Sequence, residues 1–527
     1  MYQWAIQHDS HNDPQPGPND YASRAQYGRY LKWALGYVKE LAPANVRIQE
    51  DLAHAIRLDD ADCGRHQIIA LSDGQVLRGI TAVVLALGHL PQQLTSDEEQ
   101  QRTYASTHSL RYIPPANPAN VELDMIQAQE KVFLRGLGLC FFDYLSLFTE
   151  GRGGRFTTEP NGSLEYHASG KEPLLFAGSS RGIPHRARPE NAKGVYRYHR
   201  PLLLTGDNLS RFRSQAKQGK PPSFSRDIQP LVMREMECVY YMTLLQQRDQ
   251  DFIGFQHLAT ANPYSPLTLP QLQQFGISQD DKESWESSLN PHLPAKMTYT
   301  EHRDWIMSYL AEDSRQAALG NINGPHGAAR DALRDIRNSI RLAIDHDGIS
   351  GHSREADVDT CFTPESNFLS VGPPRYRIDQ TAALIRAGVL SIMGPGIRVE
   401  RGDHMWVARS PAIPDYQLHV MTLIEARLPK PCVSRTSDPL LSYLLETGQC
   451  RPHKIDGYES GALDITAAPY NLKNGQGRPH PARLVLGVPT EGIHWTTTAG
   501  ARPGINSLML RESDEVAQAV LRLIQEA

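Results

Sequence analysis

The segment Lys131-Val-Phe-Leu-Arg-Gly136-Leu-Gly138-Leu-Cys-Phe-Phe-Asp143 constrains the fold of this chain more than any other stretch. Three apolar residues predict a short buried strand, the two glycines a tight turn, and the apolar run after Gly138 a helix start. Strand, glycine turn and helix in that order are how an open α/β sheet holds a dinucleotide. Gly136 would make the turn, and Gly138 would let the backbone approach a pyrophosphate at the positive end of the helix. Phe141 stands at the third small position of the full fingerprint. On the motif alone, a plain strand-to-helix turn competes with the cofactor reading.

The second strand of such a unit is read at Leu174-Leu-Phe-Ala-Gly-Ser-Ser-Arg181. A site for NAD usually carries an acid after this strand to bond the ribose 2′-OH. Here the strand ends in Ser179, Ser180 and Arg181. Hydroxyls and a guanidinium suit a 2′-phosphate, which an acid would repel, so the expected nicotinamide cofactor is NADPH. The competing reading of Arg181, and of His185, Arg186 and Arg188 after it, is a solvated loop.

Around this unit the patterning changes several times. Residues 21–41 carry apolar side chains at helical spacing, with Tyr27, Tyr30, Leu31, Ala34, Leu35 and Val38 on one stripe. Strands are expected at Asn45–Ile48 and His66–Leu71, a hairpin turn at Ser72-Asp-Gly-Gln75, and a buried strand at Thr81–Leu87 ending in Gly88-His-Leu-Pro91. From about 205 to 365 strand signals fade, and helices are expected at Ile228–Leu245, Thr300–Ala311 and Ala328–Ile344. Strands return at Gly396–Glu400, Met405–Ala408 and Val420–Pro429, and again at Arg483–Gly487. A last helix is expected with Ser513 as its N-cap. The apolar runs ending at Pro91 and Pro429 echo each other, as two sheet domains with similar returning strands would.

Composition narrows the function classes. The chain has 527 residues, 21% of them charged, and a net charge of -5, so it offers no electrostatic footprint for nucleic acid. No apolar run reaches the ~18–20 residues of a membrane span. Met1-Tyr-Gln-Trp-Ala lacks the basic-then-apolar order of a signal peptide. The six cysteines, Cys63, Cys140, Cys238, Cys361, Cys432 and Cys450, form no C-x-x-C pair. That argues against a zinc site or disulfide framework and for a reducing cytoplasm. No metal-ligand spacing, Walker A loop or G-x-S-x-G elbow occurs.

Several further segments carry a resemblance. They are Ser23-Arg-Ala-Gln-Tyr-Gly-Arg-Tyr-Leu31, Val84-Leu-Ala-Leu-Gly-His-Leu-Pro91, Arg111-Tyr-Ile-Pro-Pro-Ala-Asn-Pro118, Leu134–Leu139 with Phe142-Asp143, and Leu147–Phe156. Gly487-Val-Pro-Thr-Glu-Gly-Ile-His-Trp495 and Ala501–Ser507 complete the set. Together they resemble the bacterial FAD/NAD(P)-binding proteins related to FAD-dependent urate hydroxylase and L-aspartate N-monooxygenase.

The resemblance implies an α/β fold with two dinucleotide-binding, Rossmann-like sheet domains and a helical insertion. No G-x-G-x-x-G precedes residue 136, so the first βαβ unit of that fold is expected to be missing. The corresponding division is residues 1–120 for a partial FAD-binding domain, 121–204 for the first part of the NAD(P) domain and 205–365 for the insertion. Residues 366–435 would be the returning strands and 436–527 the C-terminal part of the FAD domain. The implied activity is FAD-dependent, NADPH-using hydroxylation of a small amine or purine-like substrate with oxygen. A degenerate flavin-binding protein, or a flavin oxidoreductase that does not hydroxylate, remains the alternative. Gly88 and the segment Thr490, Glu491, Gly492 to Trp495 would border the flavin, as would Gly504 after Arg502. Glu491 and His494 could move protons. No residue is assigned a catalytic role.

Overall fold

In a computed structural model of the chain, the described residues are 1–9, 16–61, 66–194, 197–291, 293, 296–501 and 507–526. The predicted strand Lys131–Arg135 is the middle of a five-stranded, wholly parallel sheet. Its order is Leu390–Ile392, Leu174–Gly178, Lys131–Arg135, Thr422–Glu425, Arg111–Ile113. Val132, Phe133 and Leu134 are each fully buried, as a strand covered on both faces requires.

Successive side chains point to opposite faces, and the two cores follow that rule. Val132 and Leu134 pack with the helix Leu139–Phe148 through Phe141, Tyr144 and Phe148. Phe133 and Leu423 face Trp406, Leu418 and Val420. Those three come from a small antiparallel sheet of Arg398–Arg401, Trp406–Arg409 and Gln417–Val420.

A second core is built on the sheet Asn471–Lys473, Pro479–Val485 and Val83–Leu85, in which the last two run parallel. An antiparallel meander, Ala55–Asp60, Gln67–Leu71 and Val76–Ile80, is tied to it by the Arg483 guanidinium, which donates to Gln67 and Asp60. The expected hairpin at Ser72–Gln75 is the turn of this meander.

Residues 205–370 are helical, including Gln229–Gln247 and Tyr299–Ala318. The expected single helix over 328–344 is two, Pro325–Asp335 and Arg337–Ile344. The crossover helix Arg375–Arg386 then returns the chain to the edge strand Leu390–Ile392.

Other elements compare with expectation as follows. Asn45–Ile48 is not a strand; Val46 and Ile48 are exposed and pair with nothing in a sheet. Arg111–Ile113, grouped above with the first 120 residues, is the edge strand of the parallel sheet. The last helix begins at Leu508, and the Ser513 hydroxyl bonds back to the Met509 carbonyl inside it. The helix Arg24–Leu41 forms as expected, with Tyr27, Leu31, Leu35 and Val38 of its apolar stripe exposed. Among the described residues no helix is long and apolar enough to cross a membrane, and no cluster of His, Cys, Asp and Glu could hold a metal ion.

Candidate functional site

The glycine turn lies at the carboxyl end of the central strand of the parallel sheet, where α/β proteins bind ligands. Gly136 has φ +135, and its N–H donates to Gly178 on the neighbouring strand at 2.8 Å. A Cβ there would come within 2.8 Å of the Ala426 carbonyl oxygen. The glycine is therefore required by the close approach of the third strand. Gly138 is the N-cap of Leu139–Phe148, with no side chain capping the helix and no acid in its first turn. The amides of that turn carry the positive end of the helix dipole.

The imidazole of His185 covers this helix start, 3.4 Å from where a Gly138 Cβ would sit. Its Nδ1 is buried without a hydrogen-bond partner. Burial pushes the ring's pKa down to about 4, so it is neutral at physiological pH. Free amides at an uncapped helix start beside a bare glycine are compatible with a pyrophosphate, and the His185 ring borders that position.

One strand over, Gly178 leads into Ser179, Ser180 and Arg181. The Ser179 hydroxyl accepts the Gly182 N–H at 3.0 Å and so closes the turn. Ser180 and Arg181 line a cleft of about 350 Å³, together with Asn290, Leu293, Trp305 and Pro395. Arg181 donates to the Leu289 carbonyl at 2.7 Å and lies over the Phe368 ring at 4.3 Å. Burial lowers its pKa. Among the described residues no carboxylate forms an ion pair with it, and no acid lines the cleft. The guanidinium is held in place, and the carboxylate that acts on it electrostatically, Glu365, does not line the cleft.

A second crevice joins the two sheets. It is lined by Gly88, His89, Pro429, Pro431, Gly461 and Val488, among others. The echoed segments ending at Pro91 and Pro429 thus meet in space. Gly88, at φ +66, has open space where a Cβ would be. It therefore presents bare backbone to the crevice, as close approach to a planar ring demands.

A family model described as FAD-NAD(P)-binding matches residues 1–90. Nitrosuccinic acid synthase of Aspergillus oryzae is 49% identical over 506 residues, covering 96% of this chain and 78% of its own. An L-aspartate N-monooxygenase (nitrosuccinate-forming) of Streptomyces cremeus is 44% identical over 526 residues, covering 97% of this chain and 78% of its own. Its counterpart in Streptomyces davaonensis is 43% identical over 526 residues, covering 97% and 80%. The chain belongs to the L-aspartate N-monooxygenase family. A solved structure of the FAD-bound cadaverine monooxygenase from Erwinia amylovora aligns at 9% identity with a TM-score of 0.37, over 96% of this chain and 73% of that one.

The remaining sequence-derived residues of this family member lie in and around one buried turn. Thr490 is fully buried, and its hydroxyl donates to the Gly487 carbonyl. Glu491 accepts the N–H groups of Thr496 and Thr497. Gly492 is required because a Cβ would meet the Ser460 carbonyl oxygen at 2.6 Å. The Trp495 indole, 1% exposed, donates to Thr363 and packs on Phe362 in the insertion. These residues shape a turn and pin it to the insertion. Only the preceding Val488 and Pro489 line the crevice. Arg502 and Gly504 lie outside the described residues.

His494 meets His346 of the insertion, Nε2 to Nε2 at 3.0 Å, and sits 3.4 Å from Glu512. Burial lowers the pKa of both imidazoles. Trp305 and Asn290 had no local signal; their helix pattern is ordinary, and only the tertiary fold brings them to the Ser180 cleft.

Proposed function

We propose that this chain is an FAD-dependent, NADPH-using monooxygenase that hydroxylates the amine nitrogen of L-aspartate. The observation that carries the reading is identity of 43–49% along 96–97% of the chain to proteins named for that chemistry. In the first oxidation an amine N–H becomes N–OH. One atom of O₂ enters that bond, and the other leaves as water with two electrons from NADPH and a proton.

The parallel sheet is read as the NADPH half. The Leu139–Phe148 helix start and Gly138 would hold the pyrophosphate, and Ser180 and Arg181 the 2′-phosphate. The Arg181 guanidinium at a cleft lined by no acid supports NADPH over NADH. The sheet containing Val83–Leu85 and Pro479–Val485 is read as the FAD half, with Gly88, Val488 and Pro489 bordering the flavin. When bound, FAD accepts hydride and activates oxygen. The protein's own contribution is position and the exclusion of water. The buried 490–495 turn serves that exclusion by closing the junction between the FAD half and the insertion.

The test is turnover of the FAD-loaded protein with NADPH, L-aspartate and ¹⁸O₂, read by mass spectrometry. The expected result is N-oxygenated aspartate carrying ¹⁸O, with NADPH consumption that rises on adding L-aspartate. NADPH oxidation indifferent to L-aspartate and yielding only hydrogen peroxide would overturn the reading.

A further inference from the structure

We infer that His185 is the side chain that meets the dinucleotide pyrophosphate at the Leu139–Phe148 helix start, and that it takes up a proton from solvent as the pyrophosphate binds. This rests on the NADPH reading above. The Cε1 and Nε2 atoms of the ring each lie 3.4 Å from where a Gly138 Cβ would sit, so this edge faces the helix start. Nδ1 is shut off from solvent with no hydrogen-bond partner. The ring is fixed before any ligand arrives. Its backbone N–H donates to the Leu137 carbonyl at 3.1 Å, within the glycine turn. The residues after it pair with an extended segment: the Arg186 N–H donates to the Phe368 carbonyl at 3.2 Å and the Arg188 N–H to the Pro373 carbonyl at 2.8 Å. Gly372 permits this pairing, since a Cβ there would meet the Arg186 carbonyl oxygen at 1.5 Å. The Phe368 ring meets the imidazole edge to face, with 6.0 Å between centroids.

The protein itself offers this ring no counter-charge. No acid stands in residues 137–142, 182–188 or 366–374, the three stretches that pack against it. Farther along the same elements, Asp143 pairs with Arg24 at 3.2 Å, Glu365 accepts the Trp285 indole N–H at 2.9 Å, and Asp313 pairs with Arg186 at 3.5 Å. Burial pushes the Cys140 thiol up to about 11, so it stays uncharged. The Arg188 guanidinium lies over the Tyr21 ring. Burial, opposed less strongly by the Val371 backbone and seconded by the Arg181 charge, keeps the imidazole neutral. The positive end of the helix dipole acts in the same direction. A pyrophosphate reverses the balance. Its negative charge beside the ring favours the protonated form, and an imidazolium N–H bonds a phosphate oxygen roughly twice as strongly as a neutral one does. Binding therefore draws a proton onto His185, and the affinity so gained is lost as pH rises through the pKa of the bound state.

The experiment is calorimetric titration of NADP⁺ and of 2′-AMP into the FAD-loaded protein at neutral pH, in buffers of different ionisation enthalpy, so that the heats count the protons exchanged. 2′-AMP carries the 2′-phosphate, which itself titrates at about 6, but no pyrophosphate. NADP⁺ should draw a further fraction of a proton into the wild type beyond the 2′-AMP count, and this excess should vanish in His185→Gln. The same variant should weaken NADP⁺ about tenfold or more, the loss of a charge-assisted hydrogen bond, and leave 2′-AMP unchanged. Thermal melts check its folding, and the wild-type comparison of the two ligands stands even where the variant is unstable. A wild type that exchanges as many protons with NADP⁺ as with 2′-AMP, or a folded His185→Gln protein that keeps the native excess or the native affinity, overturns the inference while leaving the NADPH reading intact. A wild type that binds no NADP⁺ overturns the NADPH reading, and this inference with it.

Discussion

His346 and His494 face each other Nε2 to Nε2 at 3.0 Å, one on the helical insertion and the other just beyond the last strand of the second sheet. Around them stand Asp345, Glu512, Arg341 and Arg511, together with the Asp347–His453 pair. Arg341 donates to the carbonyls of Trp495 and Thr496, and Asp345 accepts the Trp495 N–H, so this network is what fastens the insertion to the C-terminal segment.

Its pH response has two opposing parts. Burial depresses His346 to about 4 and His494 to about 3, against ~6.5 for a free imidazole. Between those values the unfolded chain binds protons that the folded one does not, so this part of stability is lost as pH falls. Burial raises Asp345 and Glu512 to about 7, against roughly 4 when unfolded. There the folded chain holds the extra protons, and this part of stability is lost as pH rises towards 7. The two parts offset in the native protein. The double variant His346→Asn/His494→Gln should therefore be most stable at more acidic pH than the wild type, and Asp345→Asn/Glu512→Gln at less acidic pH. Melting temperatures from pH 5 to 7.5 check this, and three superimposable profiles would refute it.

Arg181 gives a prediction about cofactor choice. Its guanidinium is partly buried and held by the Leu289 carbonyl, so a 2′-phosphate would meet a pre-positioned cation. Arg181→Ala should raise KM for NADPH about tenfold or more, the loss of a charge-assisted contact worth ~1.5–3 kcal/mol, and leave NADH nearly unchanged. Steady-state kinetics with both cofactors decide it. Equal losses would assign Arg181 to packing on Phe368.

The two glycines of the turn should separate stability from binding. Gly136 combines φ +135 with a backbone oxygen 2.8 Å from any added Cβ. Gly136→Ala should therefore destabilise the fold by ~1–3 kcal/mol. Gly138 has φ -86, and its added Cβ would meet only the His185 ring at 3.4 Å. Gly138→Ala should melt like the wild type yet bind NADP⁺ more weakly, because the methyl occupies the cradle. Melting curves and NADP⁺ titrations test both; a Gly138→Ala protein with native affinity would remove the helix start from the site.

The strand–turn–helix around Gly136 was legible because it is local: three apolar residues, two glycines and an apolar helix fall within thirteen positions. The helical insertion was legible from periodicity. The strand Arg111–Ile113 was not legible, because its partner, Thr422–Glu425, lies some three hundred residues away. The periodicity of Arg24–Leu41 gave the helix, but no periodicity reports whether anything packs on its stripe. Within 490–495 the residue types suggested a ligand surface, but glycine at 492 answers the Ser460 carbonyl, and Glu491 answers two backbone amides. Turn chemistry and ligand chemistry use the same residues, and only the partners tell them apart.

Trp495 sharpens that distinction. Its ring lies 5.5 Å from Phe362, its N–H reaches Thr363 at 2.8 Å, and its backbone bonds Asp345 and Arg341. A wholly buried indole in this position is an anchor between the C-terminal segment and the insertion. Trp495→Ala should cost ~3–5 kcal/mol, as large-to-small core substitutions do. Trp495→Phe keeps most of the packing and forfeits one hydrogen bond, ~0.5–1.5 kcal/mol. Denaturant titration of the three proteins should rank them in that order. If the anchor also seals the junction against water, Trp495→Phe at a temperature where it is fully folded should reduce FAD at the native rate and remain coupled, whereas Trp495→Ala should divert oxygen to hydrogen peroxide. Stopped-flow absorbance and a peroxide assay separate the two steps. A folded Trp495→Ala protein with native coupling would leave Trp495 a purely mechanical role.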